Sequence, residues 1–268
     1  GHRRAARGTA LIDRLRTVLA YRDLIHELVS RDLKVRYRRS ALGFLWTMLQ
    51  PLLTMLVLSV VFSAIFRSDI ENYAVYALAG VLFWTFFSQS IVSSMNSLRT
   101  NSSLLRKVAV PLEVFPLATV ISGVINMLLA LVPLLALMVI SGHPLRPALL
   151  FLPVAILIAA LFTLGAGLLL SPLAVFFVDV VELVGVFLTL LLYLTPVIYP
   201  IAIVPERLRW IVRYNPARSI LEVFRDPIYF GKVPPLSHLL VALGVACVAM
   251  VLGWLAFRKS SDRIPFYI

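Results

Sequence analysis

The chain has 268 residues, of which 60% are hydrophobic and 14% charged, with 25 Lys+Arg against 13 Asp+Glu. Soluble domains run to roughly 45–50% apolar and about 25% charged residues, so this composition and a mean hydropathy of +0.94 exclude a disordered chain and point to a polytopic membrane protein. The basic excess fits cytoplasmic loops and contact with anionic headgroups better than nucleic-acid binding, for which no soluble domain is left.

Residues 1–20 read as a basic N-terminal tail, whose Gly1-His2 start is set aside as a tag or processing remnant. Residues 21–268 read as a single transmembrane domain. The first long apolar run begins near Phe44, too late for a signal peptide. Tyr21 to Arg36 predicts an amphipathic helix: Leu24, Ile25, Leu28, Val29 and Leu33 share one face, and Asp23, His26, Glu27, Arg31 and Lys34 take the rest. Such a helix before a first span is expected to lie in the membrane interface. A plain basic anchor and a docking element are both open for it. Ser40 can cap the following helix, and Trp46 is placed at headgroup depth, where an aromatic belt residue is the simpler reading than a ligand contact.

Six membrane spans are expected, over about 44–66, 73–95, 114–140, 148–170, 180–198 and 239–257, each near or above the ~20 residues that cross a bilayer. Each must be helical, since hydrocarbon leaves no free backbone satisfied, and the ten-residue alternation of a barrel is absent. Eleven Lys/Arg precede the first span. Arg99, Arg106 and Lys107 follow the second, and Arg258, Lys259 and Arg263 follow the sixth. These segments share one side, so both termini are expected in the cytoplasm.

The loop from Asn96 to Pro111 predicts a short helix, with Leu104, Leu105 and Val108 at helical spacing and a proline stop. That apolar face needs a cover, either a cytoplasmic partner or the bilayer surface. Asp179 and Glu182, three apart at the start of span five, are either membrane acids with a role or acids favouring a helix start. After span five, Pro196 and Pro200 break the helix. Residues 204–212, with Pro205 near a first turn, and 217–224 then predict short helices, separated by the Asn215-Pro216 turn and ended by Pro227. The stretch reads as re-entrant, broken helices in the outer interface, a form tolerated where backbone is buried in protein or lines a cavity.

Cys247 is the single cysteine, and His2, His26, His143 and His238 lie far apart, so neither a disulfide nor a metal site is expected. No Gly-x-x-x-x-Gly-Lys-Ser/Thr run exists to cradle phosphate. No paired halves support an inverted-repeat carrier, and no mid-span acids support a proton-coupled one. An ion channel lacks its ring of charge. A membrane enzyme on lipid-linked sugars would have only Glu206, Glu222 and Asp226 to use as acids. The residues alone thus give a six-helix membrane protein with no energy-converting motif; if it transports, it takes its energy from a partner.

The segment Arg31-Asp32-Leu33-Lys34-Val35-Arg36-Tyr37-Arg38-Arg39-Ser40-Ala41-Leu42-Gly43-Phe44-Leu45-Trp46, with Gln50-Pro51-Leu52, resembles the lead-in to the first span of type-2 ABC exporter permeases that move cell-surface polysaccharides, such as the O-antigen and teichoic-acid exporters. Leu104-Leu105-Arg106-Lys107-Val108 with Pro111 and Pro116 is similar to that family's inner coupling loop. Thr195-Pro196-Val197-Ile198-Tyr199-Pro200 and Asn215-Pro216 with Arg225 resemble its outer segment. One departure is that Val178 precedes Asp179, where the family often has arginine.

The resemblance implies a homodimer of permeases in the bacterial inner membrane with two separate ATPase subunits. ATP and Mg would lie on those partners and no cofactor on this chain. It implies coupling through Arg99, Leu104, Leu105, Arg106, Lys107, Val108 and Pro111, and through Asp23, Glu27 and Arg31 of the docking helix. The implied substrate is a lipid-linked polysaccharide of O-antigen type threading through a dimer-interface channel, with teichoic acid or a small lipid or drug as the alternative. Sugar CH faces stack on aromatic rings, so Trp46, Phe83, Trp84, Phe86, Phe87, Tyr193 and Tyr199 are the channel candidates. Arg31, Arg36, Arg38 and Arg39 are candidates for a pyrophosphate headgroup or for anionic membrane lipid.

Overall fold

The computed structural model describes residues 20–37, 46, 49–50, 52–54, 56–57, 71–107 and 110–267. Among them the chain is all-helical, with no strand. Helix α1 spans Arg22–Tyr37, α2 Tyr73–Thr100, α3 Ser102–Leu105, α4 Val114–Ile140, α5 Leu152–Phe176 and α6 Val180–Leu194. The short α7 (Arg209–Arg213) and α8 (Pro216–Arg225) lead to α9, Leu236–Ser261. A 3-10 turn at Pro147–Phe151 feeds α5.

Four stretches are long and apolar enough to cross a membrane: Tyr73–Thr100, Val114–Ile140, Pro147–Phe176 and Leu236–Ser261. They cover four of the expected spans. The expected span 44–66 lies for most of its length outside the described residues. The expected span 180–198 is corrected to the 15 residues of α6, about 22 Å of helix at 1.5 Å per residue. Pro196 is the reason, because the residue before a proline is pushed out of the helical region, and Thr195 is extended at φ −102°, ψ 133°.

Local chemistry explains the other ends. Helix α4 finishes in a Schellman turn: Gly142 takes φ 69°, the His143 N–H donates to the Met138 carbonyl at 2.8 Å and the Gly142 N–H to Val139. Helix α8 starts at Asn215, whose side chain accepts from the Ala217 N–H at 3.0 Å, with Pro216 in its first turn. The expected break at Pro227 does not occur there. The chain widens into a π-turn over Asp226–Phe230 that carries Pro227 near its start and stops at Gly231, φ 60°.

Helix α2 is the most enclosed of the four long helices and α9 the least. Small residues set the closest approaches. A side chain at Gly253 would strike the Gly165 carbonyl, and one at Gly123 would strike Ser90 Oγ. A large apolar cluster runs through the middle of the bundle to the end where Val197, Phe224 and Ile228 are buried. A second cluster closes the other end, where Leu28 and Val29 of α1 meet Leu98, Val114, Phe115, Phe257 and Ile264.

Candidate functional site

The apolar stripe of α1 packs onto the start of α4 and leaves Asp23 and Glu27 exposed. Arg31 pairs with Asp32 at 3.1 Å. Leu104 and Leu105 of α3 also pack, half-buried, onto this second cluster. Two residues of the apolar face expected to need a partner or the bilayer thus find part of their cover within their own chain. Arg106 and Lys107 remain exposed beside it, while Arg99 and Pro111 are half-buried. Val108, Arg38, Arg39 and the side chain of Arg36 lie outside the described residues.

A cleft of about 1160 Å³ begins at Arg31 and Asp32 and runs between α2, α4 and α6, past Trp46 and Gln50. Along α2 its lining extends from Thr100 to Leu82, about 27 Å at 1.5 Å per residue, close to the ~30 Å of a hydrocarbon core. Two helix faces supply its polar wall. On α2, Thr85, Ser88, Gln89 and Ser93 follow three- and four-residue spacings; on α4, Thr119, Ser122 and Asn126 do the same. Thr189 of α6 faces them across the cleft. Ser88, Thr119, Ser122 and Thr189 each donate to the carbonyl four residues earlier, at 2.8 to 3.0 Å. Their protons are thereby spent on the helices, and the oxygens keep acceptor capacity toward the cleft. Among the described lining residues, Arg31 and Asp32 carry the formal charges, and they pair with each other.

The aromatic candidates divide. Trp46, Trp84 and Phe86 line the cleft. Phe83 and Phe87 do not. Phe87 stacks on Phe162 at 5.3 Å between ring centres and Phe83 on Phe87 at 6.0 Å, and both are buried in the core. Tyr193 is 65% exposed and outside the cleft lining, and its carbonyl accepts from the Tyr199 hydroxyl at 2.6 Å. The polar wall was invisible to a search for aromatics; its signal in the sequence is the hydroxyl and amide periodicity within apolar helices.

At the far end of the molecule Arg225 is 3% exposed. It donates through Nη1 to the Pro196 carbonyl at 2.8 Å and through Nη2 to that of Val197. Tyr73 donates to the Ile198 carbonyl at 2.8 Å and Tyr76 to that of Tyr199 at 3.0 Å. Asn215 Nδ2 reaches the Leu194 carbonyl at 3.3 Å and Thr195 Oγ1 at 2.8 Å. The carbonyls released where α6 breaks are thus captured one after another by side chains of α2 and α8. Nearby, burial and the neighbouring Glu222 push the Asp226 carboxyl up to about 6, against the opposing pull of His238 and Arg225.

Asp179 occupies the N-cap of α6 and Glu182 its first turn, both exposed, the placement in which acids stabilise a helix start. Glu206 pairs with Arg209 at 3.4 Å and Glu222 with Arg218 at 2.7 Å. Among the described residues no group of three His, Cys, Asp or Glu side chains is placed to hold a metal ion.

Comparison with known proteins gives a consistent picture. A family model described as ABC-2 type transporter matches residues 23–229. The O-antigen export system permease protein RfbA of Myxococcus xanthus is 34% identical over 256 residues, covering 94% of this chain and 97% of that protein. An RfbA protein of Klebsiella pneumoniae is 28% identical, covering 90% and 93%. The capsule polysaccharide export inner-membrane protein CtrC of Neisseria meningitidis serogroup A is 26% identical, covering 81% and 83%.

Proposed function

The chain belongs to the ABC-2 type transporter family, and from that premise we propose that it is the permease subunit of an exporter that moves a lipid-linked, cell-surface polysaccharide of O-antigen type across the bacterial cytoplasmic membrane. The observation that carries this reading is similarity along almost the whole length of an O-antigen export permease, 94% of this chain and 97% of the relative. The cleft supports it: over about 27 Å, reckoned at 1.5 Å per residue, hydroxyls and amides recur among apolar and aromatic side chains, a mixture that suits the hydroxyls and CH faces of a sugar chain.

The chain carries no phosphate-cradling Gly-x-x-x-x-Gly-Lys-Ser/Thr run, so ATP and Mg belong to a separate ATPase, two copies of which serve a permease homodimer. Six spans place both termini in the cytoplasm, consistent with the basic segments at the α1 end. The exposed apolar face of α6, with Leu183, Val186, Phe187 and Leu190, faces lipid or the second permease. The broken helices from Ile201 to Phe230 form the outer gate.

Coupling runs through α1. Its exposed Asp23 and Glu27, with Lys107 beside α3, meet the ATPase. The same helix carries Arg31 and Asp32 at the cleft mouth, so a push on its outer face moves the mouth where the lipid headgroup enters. Arg31 is the headgroup contact, and Arg36, Arg38 and Arg39 extend it along the sequence.

The test is purification of the tagged chain from its native host in mild detergent. A stoichiometric ATPase is expected. The Glu27→Lys, Lys107→Glu double variant should lose it while the permease itself still purifies as a folded dimer. A chain that purifies alone across several detergents overturns the exporter reading.

A further inference from the structure

Resting on that exporter reading, we propose that the polymer carried by this chain is electrically neutral, a polyhydroxylated glycan without carboxylate or phosphate along its repeat. Two features of the cleft carry the inference. The first is charge. Its described lining holds a single cation, Arg31, at the mouth and neutralised by Asp32 at 3.1 Å. From there to Leu82 the described wall offers only uncharged groups. Pores for anions and phosphates place Arg or Lys along the path, because a charge moved into low dielectric without a partner costs far more than a hydroxyl that keeps its hydrogen bonds.

The second feature is the sense of the hydrogen bonds. Ser88, Thr119, Ser122 and Thr189 have committed their protons to their own helices. What they present to the cleft is lone pairs. A sugar hydroxyl donates to a lone pair and satisfies both groups. A carboxylate or phosphate has only lone pairs of its own, so these four hydroxyls can serve it only by giving up their helix bonds. Gln89 and Asn126 add amides, which accept and donate alike and suit a polyol. The described wall therefore matches a neutral repeat at successive turns of α2 and α4, and among the described residues beyond the mouth it offers an anionic repeat no counter-charge.

The experiment is deletion of this chain in its native host, with a plasmid-borne copy to restore it. Surface polysaccharides are released from their lipid by mild acid, separated on an anion exchanger and assayed for uronic acid, sialic acid and phosphate. The polymer lost on deletion and regained with the plasmid is expected in the unretained fraction and free of all three. Loss of a retained, acid-bearing polymer, alone or beside a neutral one, overturns the inference and leaves the exporter standing. If no surface polysaccharide is lost, the exporter reading fails and this inference fails with it.

Discussion

The guanidinium carbon of Arg225 lies 3.9 Å from the ring centre of Tyr76. The arrangement joins α8 to α2 by a cation–π contact, while the same guanidinium holds the carbonyls of Pro196 and Val197. One side chain thus pins the segment where α6 ends. Its planar fork suits the task, since two parallel donors on a rigid frame meet two successive carbonyls.

Arg225→Ala should therefore destabilise the protein strongly. Hydrogen bonds to charged groups contribute about 1.5–3 kcal/mol each, and two are lost along with the ring contact. Arg225→Lys should recover less than half of the loss, because an ammonium lacks the fork. Thermal unfolding of the detergent-purified protein checks both. A lysine variant as stable as the parent would remove the geometric argument.

Gly80 tests the same clasp from the other side. A side chain there would collide with the Val197 carbonyl and the Arg225 Nη2. Gly80→Ala should lower both the melting temperature and export, in the manner of Arg225→Ala, and the two substitutions combined should cost less than their sum, since they disrupt one contact.

Gly165 and Gly253 set the approach of α5 to α9. A side chain at Gly253 would strike the Gly165 carbonyl, and one at Gly165 would lie 2.5 Å from the backbone of Ala249 and Met250. Backbones that close are a recognised means of packing helices in lipid, where the hydrophobic effect supplies no drive. Gly253→Ala should cost about 1–3 kcal/mol, the range of overpacking in a filled core, and Gly253→Leu should prevent accumulation of folded protein. Gly244, with no neighbour near its position, is the control. Gly244→Ala should be neutral or stabilising, as measured by yield and melting temperature.

Asp226 predicts a pH dependence of stability. Its carboxyl titrates near 6 in the folded protein against 3.8 for the free side chain, through burial first and Glu222 second. The folded state therefore holds the proton more tightly than the unfolded chain. The sign is that this contribution is fully present below about 4 and is lost as pH rises through about 6. Asp226→Asn should flatten the fall in melting temperature between pH 4 and about 7. An unchanged slope would show that Asp226 is not the titrating group.

Apolarising the cleft wall separates transport from folding. Ser122→Ala with Thr119→Val removes two acceptors that face the cleft. Since both hydroxyls bond only their own helix in the structure, stability should change by less than about 1 kcal/mol each, the net worth of such a bond. Export, scored by surface polysaccharide, should fall several-fold. Unchanged export would place the polymer's path elsewhere.

Much of the molecule was legible in the sequence where one element decides its own form. The stripe of Leu24, Ile25, Leu28, Val29 and Leu33 gave α1 nearly to the residue, since a helical period needs no neighbour to read. Asn215-Pro216 gave the start of α8, because its capping is local chemistry. The end of α6 was overextended by four residues, although the signal, Pro196, had been noted. The aromatic candidates separate for another reason. Phe83 and Trp84 are adjacent and both apolar, yet one is locked in the core against Phe87 and Phe224 and the other lines the cleft. Hydropathy scores them alike; only the helix each face meets tells them apart.

Composition and periodicity alone thus determined a helical membrane protein, the positions of most of its helices and the lack of an ATPase motif, because these depend on the solvent and on contacts a few residues apart. The tertiary structure decided the rest: which polar stripes face one another to make a cleft, which cluster the leucines of α3 pack against, and what holds the broken segment after α6. Tyr73 reaches the Ile198 carbonyl across 125 residues of chain and Arg225 reaches Pro196 across 29. Such partners are chosen by the packing of whole helices, and no local spacing encodes them.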